Sequence, residues 1–203
     1  MAHLKQLILA STSPWRLRML LDAGIAAEAV APGVDENRFS EGPPWEIAAL
    51  RAKAKALAVF EKYPDSIVIG ADQVVWLPPG ERFDKPKTPQ RHFQQLAALR
   101  GKSHLLTTAV FMTSRERTQA IQVRTTITFR SDLSDQDLEA YVQTGEGRYC
   151  AGGYQVEGRG AWLIEKIDGD WFNVVGLPVL DVVGVLRQWG WSMPELPSTE
   201  SKG

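Results

Sequence analysis

Residues 66–76, SIVIGADQVVW, place apolar side chains at 67–69, 71 and 74–76. A strand apolar on both faces belongs inside a sheet rather than at its edge, so SIVIGA reads as a central strand with a sequel through Trp76. Asp72 directly follows SIVIGA. The carboxyl ends of strands in α/β sheets are where ligands sit. A carboxylate there can hold a divalent cation or accept a proton from water; a capping or turn-forming aspartate is the alternative.

The rest of the chain alternates around this strand. Residues 6–10 (QLILA) read as a strand, Ser13-Pro14 as an N-cap with proline at the first helical position, and Gly24 as the helix stop. A second strand is expected at 28–31, and a polar, mobile loop at 33–44. A helix follows from Trp45 to Tyr63, with Ile47, Leu50, Ala54 and Leu57 as its apolar stripe. Residues 78–87 form an excursion, and Thr88-Pro89 starts a helix ending near Leu99. Strands at 104–112 and 119–130 form a hairpin. Ser134 caps a helix that ends before Gly145, helped by Asp135 and Asp137 in its first turn. A strand at 161–167, a turn at Asp168-Gly169 and a helix from Pro178 to Trp189 complete the pattern. The expected class is α/β with a mixed sheet and flanking helices. Residues 1–191 are expected to form a single domain, and 192–203 a flexible tail.

Charge and composition remove several functions. In 203 residues, 23 Lys/Arg face 24 Asp/Glu for a net charge of −1, which argues against a nucleic-acid polymer or a membrane surface as partner. No stretch approaches the roughly 20 apolar residues of a membrane helix. The single Cys150 excludes an intrachain disulfide and a thiolate zinc site within the chain, and His3, His92 and His104 lack metal-ligand spacing. A short apolar LILA run is a strand rather than a signal peptide, so the expected location is the cytoplasm.

Candidate chemistry lies in four places. The STSPWR segment (11–16) joins a strand to a helix and can present backbone N–H groups to an anion, with hydroxyls from Ser11, Thr12 and Ser13 and charge from Arg16 and Arg18. It lacks the spacing and lysine of a P-loop, and the chain has no GxGxxG. An ordinary capped helix is the alternative. Asp35-Glu36 offers further carboxylates in a loop, and carboxylates meeting Asp72 would suit a hard oxygen-seeking cation such as Mg²⁺. Lys53, at the edge of its helix's stripe, and Lys85, beside Pro86, could each reach a phosphate or simply be solvated. The glycine-rich 149–162 segment lets backbone approach a flat ligand and could project Glu157. Trp15 sits beside the proposed anion site, either facing ligand or half-buried.

Together these segments resemble the Maf family: LILASTSPWR (7–16), VDE (34–36), RAKA (51–54), GADQVV (70–75), DKP (84–86), AGGYQVEGRG (151–160) and GLP (176–178) run in family order. The resemblance implies an elongated mixed sheet with two lobes around a central cleft, inosine-triphosphatase-like, in a homodimer. It implies a nucleoside triphosphate pyrophosphatase that cleaves between the α and β phosphates and requires a divalent cation, Mg²⁺ or Mn²⁺. Ser11, Arg16, Glu36, Lys53, Asp72 and Lys85 match its active-site positions. Asp72 takes the proton acceptor's place, and Glu36 is the second carboxylate at the metal. Ala52 stands where many relatives have Glu.

Three positions follow the base in this family: Trp15, Gln73 and Glu157 here. The set resembles the 7-methyl-GTP branch, whereas the dTTP/UTP branch commonly shows Arg, Thr and Gln. Tryptophan attracts the cationic methylated ring, and glutamate can accept from guanine N1–H and the exocyclic amine. The expectation is therefore 7-methyl-GTP. The alternatives are dTTP/UTP or broad-range hydrolysis, a non-catalytic nucleotide-binding regulator of cell division, and a plain α/β scaffold.

Overall fold

The computed structural model describes residues 6–193. A seven-stranded mixed sheet runs β2-β1-β3-β5-β6-β7, with β4 pairing to the side of β3. β1 (Leu7–Ala10) lies parallel to β2 (Glu28–Ala29) and to β3 (Ile67–Leu77). From β3 onward the sheet is antiparallel through β5 (Ser103–Thr113), β6 (Thr118–Phe129) and β7 (Ile164–Asp168); β4 is Glu81–Arg82. The helices are α1 (Pro14–Asp22), α2 (Pro44–Phe60), α3 (Pro89–Leu99), α4 (Asp135–Gln143), α5 (Trp171–Val175) and α6 (Val179–Gln188). His3 and most of the expected tail lie outside the described residues.

The expected caps form. Ser13 accepts from the Arg16 amide, Thr88 from that of Arg91, and Ser134 makes a reciprocal capping box with Asp137. Residues 67–77 form one unbroken strand, buried at ten of its eleven positions, so Asp72 lies in mid-strand rather than at a carboxyl end. The 33–44 loop holds a 3₁₀ turn at Glu36–Arg38, capped by Asp35. Two elements were not expected. β4 falls inside the 78–87 excursion, and α5 is a five-residue helix capped by Asp170.

β3 makes the two lobes. On one face of the sheet, Ile67, Ile69 and Ala71 join a core with Leu7, Leu9, Leu20, Val110 and the α6 valines. Further along, Val75 and Leu77 join another with Leu96, Leu99, Ile127, Phe129 and Leu138. Successive strand residues alternate faces. Gln73 therefore falls on the first face, between the two cores, while Gly70 and Asp72 face the opposite side with Val68, Val74 and Trp76.

α2 covers that opposite side, in a different phase from the expected stripe. Ile47, Ala48, Ala52, Lys55, Ala56 and Val59 are buried, whereas Leu50 and Leu57 are 47% and 37% exposed. The sheet is met through alanines, which let the helix backbone come close.

Both described histidines are buried and structural. His104 Nε2 hydrogen-bonds the Tyr154 hydroxyl at 2.7 Å, its Nδ1 has no partner, and burial pushes its pKa from 6.5 down to about 3. The folded state thus leaves His104 neutral where the unfolded chain protonates it. Its full contribution holds above pH 6.5 and is lost as pH falls from 6.5 towards about 3, at about 1.4 kcal/mol per pH unit. Denaturant titrations across this window should show a steeper acid loss in the wild type than in His104→Gln. Parallel curves would remove His104 from the acid response.

Candidate active site

β1 stops at Ala10, opposite Gly70, so the chain turns into α1 immediately beside Ala71 and Asp72. Ser11 Oγ accepts the Ser13 amide at 3.1 Å, and Ser13 Oγ accepts that of Arg16. Two of the amides expected to face an anion are thereby committed within the loop. The first turn's main contribution is Arg16. Its Nη1 donates to the Ala71 carbonyl at 2.9 Å and its Nε to that of Gly176 at 2.8 Å, tying α1 to β3 and to the loop before α6. Burial lowers the Arg16 pKa, while the charges of Asp72 and Glu36 oppose the shift.

The centre of the site is a carboxylate–ammonium–carboxylate cluster. Lys55 Nζ lies 2.7 Å from Asp72 Oδ1 and 2.7 Å from Glu36 Oε1, so the two acids lie within twice that distance of each other. Lys55 and Asp72 are both buried. Burial raises the Glu36 pKa, but the Lys55 hydrogen bond and charge, with Arg51 and Lys85, outweigh it and leave the pKa below its usual value. Asp72 Oδ2 is buried with no hydrogen-bond partner; the Arg51 guanidinium approaches it at 3.8 Å. Arg51 also donates to the Phe39 carbonyl at 3.1 Å, fastening the end of the turn that carries Glu36.

Lys53 is not in this cluster. It is exposed, with its ammonium 5.8 Å from the Phe111 ring centroid, outside the cleft. Residues two apart on a helix point about 200° from each other, so Lys53 and Lys55 cannot both face β3. The lysine of the segment 51–56 that meets Asp72 is Lys55.

A cleft of about 1030 Å³ opens here, and Ser11, Ser13, Trp15, Arg16, Glu36, Lys55, Asp72, Gln73, Lys85 and Glu157 all reach it. Trp15 is 45% exposed, and Glu157 is exposed. Gln73 Nε2 donates to Thr108 Oγ1 at 3.0 Å and to the Asn173 carbonyl at 2.7 Å, linking β3, β5 and α5. Cys150 is partly exposed at the cleft and accepts from Gln155 rather than being fully buried.

The donor set fits a divalent cation in one way. Among the described residues no group of three or more His, Cys, Asp or Glu is placed to hold a metal. Two carboxylates with an unpartnered Asp72 oxygen instead suit an ion like Mg²⁺, which completes its shell with water and substrate phosphate. No helix among the described residues is long and apolar enough to cross a membrane.

An α/β sheet that carries two cores along one face and sets an acid–lysine–acid cluster, with Lys55 and Asp72 buried and Glu36 at the surface, in the cleft defines a small-molecule enzyme class rather than a scaffold. Residues 6–189 match the family model described as Maf-like protein, and the chain belongs to the Maf family. It is 40% identical over 192 residues to a dTTP/UTP pyrophosphatase of Dictyoglomus turgidum, covering 93% of this chain and 98% of that protein. It is 38% identical over 188 residues to a protein of the same name from a Geobacillus species, covering 93% and 100%. A third of that name, from Moorella thermoacetica, is 39% identical over 189 residues, covering 92% and 96%. Among solved structures, a HAM1 protein from Coxiella burnetii is similar with a TM-score of 0.48 and 12% identity, covering 91% of this chain and all of that one.

These relatives correct the expected 7-methyl-GTP preference, because they are named for dTTP and UTP. The geometry shows why three side-chain identities were a weak guide. The Gln73 amide nitrogen is committed to Thr108 and Asn173 rather than free to read a base. Residues that sequence reasoning passed over include Lys55 and Arg51 on α2. Arg82, Lys87, Arg91 and Arg148 also line the cleft; the density of basic residues between 82 and 91 hinted at the first three, and nothing local pointed to Arg148.

Proposed function

We propose that this chain hydrolyses dTTP and UTP between the α and β phosphates, releasing the nucleoside monophosphate and pyrophosphate. Family membership and the relatives' names support the reaction class and the pyrimidine choice. The observation that carries the chemistry is the buried Lys55 bridging Asp72 and Glu36, with Asp72 Oδ2 buried and without a hydrogen-bond partner.

Each residue then has a task. Asp72, held by Lys55 through Oδ1, keeps Oδ2 to orient the attacking water and take its proton. Lys55 fixes the spacing of the two acids. Arg16, anchored by two carbonyls, and Lys85 on the opposite wall balance phosphate charge as it redistributes. Asp72 and Glu36 are the residues that would hold a divalent cation, which when bound would polarise a phosphoryl oxygen and acidify a water.

A side-by-side panel of dTTP, UTP, CTP, GTP and 7-methyl-GTP with Mg²⁺, quantifying monophosphate and pyrophosphate, tests this reading. dTTP and UTP should turn over fastest, with the two products in equal amounts. Faster hydrolysis of a purine triphosphate would overturn the base assignment, and orthophosphate as the main product would overturn α–β cleavage.

A further inference from the structure

The two walls of the cleft differ in how their charges are paired. On the α2 wall, Lys55 and Arg51 face Asp72 and Glu36. The other wall carries Arg82, Lys85, Lys87, Arg91 and Arg148, and none of the five makes an ion pair with a carboxylate among the described residues. Asp84, Glu146 and Glu157 also line the cleft without closing on these cations. Glu146 is turned away, its Oε1 accepting from the Tyr141 hydroxyl at 3.0 Å and the Gly160 amide at 2.8 Å. In a chain of net charge −1, five unpaired cations lining one wall are a concentrated exception.

This wall is also built rather than loose. The strap from β4 to α3 is bonded at three points. The Phe83 carbonyl accepts the Gly152 amide at 3.0 Å, the Asp84 carbonyl accepts from Gln95 at 2.9 Å, and the Lys87 amide donates to the Arg148 carbonyl at 3.1 Å. Lys87 takes a left-handed conformation, φ 63°, which residues with a side chain rarely adopt and which marks a position held by its surroundings. Arg148 Nε is buried without a hydrogen-bond partner, a donor with nothing yet to bind. Lys85 joins the walls, since its charge acts on Glu36.

We infer that Arg82, Lys87, Arg91 and Arg148 form, around Lys85, a second anion subsite that takes the β,γ end of the substrate and binds inorganic pyrophosphate in its own right. Its role in the reaction rests on the proposed pyrophosphatase activity; its affinity for pyrophosphate does not. Rows of guanidinium and ammonium groups match the adjacent phosphates of a polyphosphate, and a cleft of about 1030 Å³ has room for a nucleoside monophosphate and pyrophosphate together. A wall of this kind selects triphosphates over monophosphates through the number of phosphates it can engage.

Calorimetric titration of inorganic pyrophosphate and, separately, of UMP into the full-length protein without added metal tests the subsite. Arg148→Gln and Arg91→Gln should each weaken pyrophosphate binding about tenfold, the scale of one lost charge-assisted contact, and leave UMP affinity unchanged. The dependence of pyrophosphate affinity on salt should also flatten. Arg91 is exposed on α3, so its variant remains informative should Arg148→Gln fail to fold. Unchanged pyrophosphate affinity in Arg91→Gln and in folded Arg148→Gln, or an equal loss for UMP, overturns the subsite. A wild type that binds pyrophosphate through these arginines yet leaves dTTP and UTP intact would instead overturn the activity and keep the subsite.

Discussion

Asp72→Asn should leave a folded protein whose kcat falls by about two to four orders of magnitude, the usual contribution of a positioned general base. Asparagine keeps the shape of aspartate and can still accept the Lys55 hydrogen bond through its carbonyl oxygen. It cannot take a proton from water, and it removes the buried one of the two negative charges that meet Lys55. Lys55 keeps Glu36 at 2.7 Å, so its ammonium is not stranded, and the stability loss should fall short of the roughly 3–5 kcal/mol of an orphaned buried charge. Steady-state kinetics on dTTP with a thermal melt of the same samples separates the two effects. A variant turning over near the wild-type rate would remove Asp72 from the chemistry. Lys53→Met is the matching control. Its ammonium lies over Phe111 outside the cleft, so its rate should equal that of the wild type. A loss as deep as that of Asp72→Asn would return the catalytic lysine to position 53.

That control also marks where the sequence stopped being readable. β3 and the helix starts at Ser13-Pro14, Thr88-Pro89 and Ser134 were legible because local chemistry decides them: apolar residues on both sides of Asp72-Gln73 and side-chain oxygens that cap amides. The phase of α2 was not. Large apolar residues usually mark the buried face of a helix, and Leu50, Ala54 and Leu57 fixed the expected stripe accordingly. Here the helix turns alanines to the sheet, leaves Leu50 and Leu57 partly exposed, and buries the one lysine that finds two carboxylates. A buried Lys55 is stable only because Asp72 and Glu36 meet it, and that meeting joins three separate parts of the chain. The basic wall was hidden for a related reason, since Arg148 comes beside Lys87 only once the strap has folded. α5 was too short to declare a periodicity, yet its Asn173 carbonyl anchors Gln73.

The alanine face of α2 leads to the largest expected effect on stability, at Gly70. A Cβ built there would lie 2.6 Å from the Ala56 nitrogen and 2.8 Å from its Cβ, and closer still to the Ala52 carbonyl oxygen. Two of these are backbone atoms of a 17-residue helix, which cannot swing aside as a flexible side-chain tip can. Relief requires α2 to shift off the sheet, breaking contacts at Ala48, Ala52, Ala56 and Val59 together. Gly70→Ala should therefore cost at least the roughly 3 kcal/mol at the upper end of ordinary overpacking, or roughly 10 °C in Tm for a chain of this size. Activity should fall further than the folded fraction does. Lys55 precedes Ala56 by one residue and Asp72 follows Gly70 by two, so moving the helix opens the Lys55–Asp72 contact that sets the site. Gly184→Ala supplies the opposite case. It is a helical glycine in α6 with nothing near its missing Cβ, and alanine there should add about 0.5–1 kcal/mol. Melting curves and dTTP turnover for the two variants decide the point: a Gly70→Ala protein that melts with the wild type would mean that α2 does not rest on β3 at this glycine.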